Sequence, residues 1–303
     1  MFPSSVLLDP EAERRRLEYY ATLASAHDPA KVFSPPPAPI PVHSRPAEGL
    51  EDIGGHVELL RFQSPFEPLH PDLAARFRAA TDNAVARAQH WRHDNVARAT
   101  LITIDGFGAS PDRLNTSFFG LRESFGEGWD ILMFTPPFHG GRQSGRSPFN
   151  GAELFMSGFA HLAEAMLQAV CDLRVIIDYL ERTGVPRIGV TGLSLGGYIT
   201  ALLAEVDPRL DFAIPQTTIT HIPTLVTDRF PAGAGTRLPA WANQLPGDLI
   251  DRSAALHSPL NYPVLLERDR LLLIGEAGDP VSPPAQTTAL WQHWGQPELH
   301  WFP

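Results

Sequence analysis

The sequence predicts an α/β chain with a mostly parallel central sheet and helices on both faces. Three observations predict it. Short, almost wholly apolar runs recur: Leu101–Ile104, Ile131–Phe134, Arg187–Thr191, Asp211–Ile214 and Leu271–Ile274. Stretches with helical spacing separate them, and several of the runs end in turns rich in Gly and Pro. Strands buried on both faces read as continuous apolar runs, and crossover helices are what place them side by side in parallel.

Taken in order, residues 1–48 read as an extension. A charged helix over about Pro10–Ala26 leads into Ser34–Pro35–Pro36–Pro37–Ala38–Pro39–Ile40–Pro41, which cannot continue a helix and favours extended backbone. This arm is expected to be a tether rather than a core element, able to wrap the main domain or help to cover a pocket. Residues 49–303 form the main domain. Val57–Phe62 is an early strand, and Pro71–His93 has helical spacing through Leu73, Phe77, Ala80 and Ala84. Glu153–Arg182 reads as one long helix stopped by Gly184 and Pro186. Leu195–Glu205 is the next helix, and residues 216–266 form an irregular, cap-like insert. A helix near Ala285–Trp294 and a strand at Glu298–Phe302 close the chain.

Bulk composition narrows the function. The formal charge is −10, which argues against non-specific nucleic-acid binding, because that needs a clustered basic surface. No apolar run is long enough to span a bilayer. No export signal is visible at the N-terminus, so the cytoplasm is the expected compartment. Cys171 is the single cysteine and excludes an internal disulfide; it reads as a small buried hydrophobe. Lys31 is the one lysine among 24 basic residues, a bias that suggests a GC-rich bacterial genome.

Gly192–Leu193–Ser194–Leu195–Gly196 fits G-x-S-x-G. The pattern alone is weak, so its context has to carry the reading. A strand precedes it and a helix follows it, which is the setting of a nucleophile elbow. There a serine is lifted above the sheet, and the helix N-terminus offers N–H groups to a developing oxyanion. Two competing readings stay open: Ser194 as a plain helix cap, or the turn as an anion site. Leu195 is the expected first oxyanion donor. Gly106 or Phe107, in the turn after Leu101–Ile104, is the expected second. Asp105 stands too close to an oxyanion to be free, so it is expected to point away or be paired.

An elbow serine needs a histidine to take its proton and an acid to orient that histidine, with the acid next in chain order and the histidine last. Asp279, in the loop after Leu271–Ile274, is the candidate acid, with Glu276 as competitor; Asp279 also reads as a turn cap before Pro280. The histidine is expected after Glu298–Phe302, but the sequence given stops at Pro303. His300, inside the last strand, is expected to pack, His293, in the helix before it, to be surface or satisfied core, and His221 and His257 fall in the insert, where nothing places them. Phe138 and His139 follow Ile131–Phe134: His139 is expected as a pocket-lining or hydrogen-bonding group rather than the base, and Phe138, with Phe107, Phe118 and Phe119, as pocket lining or core. The expectation is that the C-terminal end is truncated and the base lies beyond it; the alternative is a natural protein with an incomplete triad. Either way one flank of the sheet is expected to expose apolar surface, with homo-oligomerisation as one consequence.

These residues resemble the α/β-hydrolase superfamily. Within it the chain is similar to the bacterial proteins like α/β-hydrolase domain-containing 18. The resemblance runs from about residue 55 to the end and rests on Ser64–Pro65–Phe66–Glu67–Pro68, Thr135–Pro136–Pro137–Phe138–His139–Gly140, the elbow with Gly197, Leu290–Trp291–Gln292–His293–Trp294–Gly295 and Leu299–His300–Trp301–Phe302–Pro303. It implies the α/β-hydrolase fold and the roles of Ser194 and Asp279, with the base on a turn after the closing strand. It implies no particular substrate. The expected activity is therefore hydrolysis of a small-molecule carboxylic ester or thioester through an acyl-enzyme, with no metal and no cofactor. A non-catalytic binding or scaffold protein is the alternative.

Overall fold

The computed structural model describes residues 9–37, 39–108, 119–224 and 244–303. Phe118, one of the expected pocket aromatics, and residues 225–243 of the insert lie outside them. The strands are β1 (His43–Ala47), β2 (Gly55–Gln63), β3 (Val85–His93), β4 (Ala99–Ile104), β5 (Trp129–Thr135), β6 (Ile188–Leu193), β7 (Phe212–Gln216), β8 (Leu272–Glu276) and β9 (Glu298–Phe302). They form one nine-stranded sheet in the order β1-β2-β3-β5-β4-β6-β7-β8-β9. From β5 through β9 neighbouring strands run parallel, while β1, β2 and β3 are joined antiparallel to one another and to β5.

The helices are α1 (Pro10–Ala24), α2 (Pro71–Ala79), α3 (Leu121–Gly126), α4 (Ala152–Met156), α5 (Phe159–Arg182), α6 (Leu195–Val206), α7 (Gly247–Ala254) and α8 (Pro284–His293). The two central strands bury both faces. Ile102 and Ile104 of β4 and Val190 of β6 are fully enclosed, with α5 and α6 supplying Ile176, Leu180, Leu202 and Leu203 to the same core. A smaller apolar cluster, including Trp91, Phe125 and Ile131, lies apart from it.

Three expectations change. The helix expected over Pro71–His93 is a helix and then a strand. Inside β3 the side chains of Ala86, Ala88 and His90 alternate inward, a period of two that small alanines disguise as helix. The single helix expected over Glu153–Arg182 is broken between α4 and α5, and the carboxylate of Glu13 caps the start of α5 by accepting from the Ala160 amide at 2.9 Å.

The arm is not a tether either. Leu17, Tyr20, Ala24, Val32 and Phe33 belong to the main core, and the Tyr20 hydroxyl donates to Glu164 at 2.5 Å. The guanidinium of Arg174 holds the Phe33 carbonyl at 2.8 Å, and that of Arg182 holds Ile40 at 3.2 Å. The residues expected as an extension thus contribute a core helix and, through β1, an edge strand of the sheet. Cys171 is half-buried, with burial pushing its thiol up to about 12, in keeping with an inert side chain. No helix among the described residues is long and apolar enough to cross a membrane.

Candidate active site

Ser194 stands between β6 and α6 with φ 54° and ψ −109°, a left-handed conformation that a side chain adopts only under strain. Its amide donates to the Gln216 carbonyl at 2.9 Å, and its carbonyl accepts from Tyr198 at 2.9 Å, starting the helix. Of the three readings left open by the sequence, a plain cap fits least, because the Ser194 side chain makes no capping bond to α6. The residue is only partly buried. Its hydroxyl has no hydrogen-bond partner among the described residues.

The glycines explain how the bend closes. A Cβ on Gly196 would collide with the Ile104 carbonyl oxygen and lie 2.8 Å from that of Asp105. The first turn of α6 therefore rests directly on the end of β4. On the other side, a Cβ on Gly106 would sit 3.3 Å from the Leu193 carbonyl oxygen. The amide-bearing start of α6, with Leu195, and the turn Gly106–Phe107 are thus neighbours, as two oxyanion donors have to be. Asp105 is buried and not without partners.

Asp279 follows β8. One of its oxygens accepts from the amides of Val281, at 2.7 Å, and Ser282, at 2.9 Å. The expected turn cap is present, and it leaves the second oxygen of the carboxylate for another donor. Glu276 is exposed at the end of β8. A cavity of about 450 Å³, lined by Phe119, Gln216, Thr217, Ile274, Gly275, Glu276 and Phe302, lies over the carboxyl ends of β7, β8 and β9. It begins at Gln216, against the Ser194 peptide, and reaches the strand from which the Asp279 loop departs. Ligands in open α/β sheets bind beyond the carboxyl ends of strands.

All twelve histidines are described, and none lies at hydrogen-bond distance from the Ser194 hydroxyl. His300 is exposed and bonds Glu298 at 2.7 Å; it is not a packing residue. His293 meets the Tyr262 carbonyl at 2.7 Å. His221 is held between Thr224, at 2.6 Å, and Asp251, at 3.3 Å. His257 is buried against Tyr198. The tyrosine O–H donates to the His257 carbonyl, so Nδ1–H of the ring is left to donate to the phenol oxygen, both at 2.6 Å.

Phe138 and His139, expected to line a pocket, are core residues instead, each 2% exposed. The reason is a buried polar network that the sequence did not reveal. Arg142 and Asp172, both fully buried, pair at 2.7 Å, and Asp172 also accepts from Ser64 at 2.6 Å. Arg142 further donates to the carbonyls of Asn83, at 2.9 Å, and Thr135, at 3.2 Å. The Asn83 side chain accepts from the Phe138 amide at 3.0 Å and donates to Gln168 at 2.7 Å. Two conspicuous motifs, Ser64–Pro68 and Thr135–Gly140, therefore meet on one ion pair, the first at Asp172 and the second at Arg142. A buried pair broken from one side leaves an uncompensated charge. Asp172→Asn and Arg142→Met are each expected to cost about 3–5 kcal/mol in urea unfolding. The double replacement should cost less than the two singles added together; strict additivity would mean that the pair does not act as a unit.

No protein-family model matches the chain. It is 28% identical over 292 residues to an uncharacterized protein of Mycobacterium tuberculosis, strain ATCC 25618 / H37Rv, covering 95% of this chain and 68% of that protein. The same figures hold for its counterpart in strain CDC 1551 / Oshkosh. Among solved structures it is similar to an acetyl xylan esterase from Paenibacillus sp. R4 (TM-score 0.62, 13% identity, 96% of this chain and 87% of the other). Acetyl xylan esterase 1 from Thermoanaerobacterium sp. JW/SL YS485 gives a TM-score of 0.59 at 13% identity, over 95% and 86% of the two chains. A cold-adapted esterase from an Arctic intertidal metagenomic library gives 0.52 at 13% identity, over 87% and 89%. Strand order, the bend at Ser194 and these likenesses agree: the chain has the α/β-hydrolase fold.

Proposed function

We propose that this chain is a serine-nucleophile hydrolase of carboxylic esters or thioesters. The observation that carries the reading is the strained backbone of Ser194, φ 54° and ψ −109°, at a strand-to-helix bend with its side chain only partly buried. Strain of this kind persists where the surrounding structure over-determines it, as the packed Gly196 does here, and it clusters at functional sites. Ser194 Oγ bonds to the acyl carbon, and its proton passes to a base and then to the departing alkoxide or thiolate. Water then attacks the acyl-enzyme by the reverse proton route, releasing the acid and the free serine. The amide of Leu195 and the Gly106–Phe107 turn hold the oxyanion. Asp279 offers its free oxygen to the base.

The base in this reading is a histidine that reaches the cavity between Gln216 and Glu276. That volume is ample for an imidazole. The names of the three similar structures given above, each an esterase, support the same chemistry. A second reading, a binding protein without turnover, is favoured by one observation: the unpartnered Ser194 hydroxyl. A fluorophosphonate separates the two. The hydrolase reading expects a single adduct that peptide mass spectrometry assigns to Ser194 and that Ser194→Ala lacks. Absence of the adduct, or labelling that survives the substitution, would sink it.

A further inference from the structure

The loop that follows β5 bears on the oxyanion turn. His139 lies in it, buried, with Nδ1–H donating to the Pro137 carbonyl at 2.8 Å. That bond fixes the tautomer, so Nε2 carries a lone pair, and this nitrogen is buried with no partner among the described residues. Burial holds the ring neutral, its pKa pushed down to about 4. The backbone around it is strained and braced: Phe138 takes φ 60°, while Asn83 grips the Phe138 amide and the Asn150 side chain accepts from the Gly140 amide at 2.7 Å.

What this bracing presents is one ring edge against Phe107. The two rings meet edge to face with centroids 5.7 Å apart, and Phe155 and Phe149 enclose Phe107 from other sides at 4.7 and 6.3 Å. Gly151, at φ 82°, closes the cluster. A Cβ there would strike His139 Nε2 and lie 2.8 Å from the Phe107 ring. Phe107, partly buried, thus packs its ring directly on His139, and its own peptide belongs to the turn that abuts Leu193.

We propose that His139 is a positioning residue of the oxyanion turn: clamped by its neighbours, it fixes the Phe107 side chain and so the peptide that faces the nucleophile. The inference rests on the reading of Ser194 as nucleophile. A bare, buried nitrogen is a cost to the fold, and an oxyanion donor misplaced by a fraction of an ångström loses much of its value.

The test is the rate at which a fluorophosphonate labels Ser194, since phosphonylation also builds charge on an oxygen in the hole and needs no turnover. His139→Ala is expected to slow labelling by about tenfold or more, with the thermal melt still cooperative. Phe107→Ala should slow it similarly, and the double variant should be no slower than the slower single, because both act through one peptide. Should His139→Ala lose its cooperative melt, His139→Leu keeps the buried volume and takes its place in the cycle. Labelling within twofold of the parent, or effects that multiply, overturns the inference while leaving Ser194 as nucleophile. A parent protein with no adduct on Ser194 overturns both.

Discussion

Added imidazole is expected to raise the hydrolysis of a p-nitrophenyl ester by this chain by roughly 10- to 100-fold, and Ser194→Ala is expected to abolish the increase. The Ser194 hydroxyl has no partner among the described residues. Asp279 has one oxygen committed to two amides and one uncommitted. A cavity of about 450 Å³ lies over the ends of β7, β8 and β9, lined by Gln216 next to the Ser194 peptide and by Glu276 on the strand before the Asp279 loop. A positioned general base contributes about 10²–10⁴-fold. A diffusible imidazole, held by Asp279 but not tethered, should recover part of that. The rate should follow the free base, rising between about pH 6 and 8, and should saturate with imidazole as a bound species does. Asp279→Asn should weaken the saturation and leave labelling of Ser194 by fluorophosphonate in place. A strictly linear, Ser194-independent increase would mean solution catalysis alone and would remove the cavity from the mechanism. Full activity without imidazole would show that the chain already carries a base, and would direct attention to how one of its histidines approaches Ser194 when substrate binds.

Much of this architecture was legible in the sequence, for physical reasons. Strands such as Leu101–Ile104 and Ile131–Phe134 lie buried on both faces, so their composition is uniform and their ends are marked by glycine and proline. The bend at Ser194 was legible because the close approach of α6 to β4 admits nothing larger than hydrogen at Gly196, which writes a glycine into the sequence. The placing of Asp279 in a loop after a strand was legible from the apolar run before it. The misses share a cause: contacts between distant segments. Glu13 caps a helix 147 residues away, and Tyr20 reaches Glu164; nothing local distinguishes that arm from a charged surface helix. β3 hid behind alanines that fit either period. Phe138 and His139 sat where a pocket residue would sit, after a strand on the functional face, but Arg142 and Asp172 fold their turn inward. A buried Arg–Asp pair leaves no spacing signal, since its members stand 30 residues apart on a loop and a helix.

Acid should destabilise this protein between pH 6.5 and 4.5. Four histidines are buried. His90 and His257 are pushed down to about 3, His139 to about 4, and His161 well below its ordinary value, each by burial in the first place. For such a group the unfolded chain takes the proton first as pH falls. Its contribution is therefore complete above about pH 6.5 and is lost on the way down to the folded value, by about 1.4 kcal/mol per unit for each histidine. Glu205 opposes this. Burial raises its carboxyl well above the ordinary range, so its contribution is present at low pH and lost as pH rises. Glu164 and Asp172, whose carboxyls burial also raises, act in the same sense as Glu205. The four histidines outnumber these buried carboxyls, so the net change on acidification is a loss of stability. Urea midpoints measured at steps of half a pH unit would record it. His161 permits attribution to a single site: both its ring nitrogens lack partners among the described residues, and Phe77 and Phe138 pack on it at 5.1 and 4.6 Å. His161→Leu exchanges an unsatisfied polar ring for an apolar side chain in an apolar setting. It should raise stability at neutral pH and reduce the acid slope by about one proton, close to 1.4 kcal/mol per unit. A slope unchanged by that substitution would place the acid sensitivity elsewhere, and stability that grows on acidification would mean that the buried carboxyls, not the histidines, dominate the linkage.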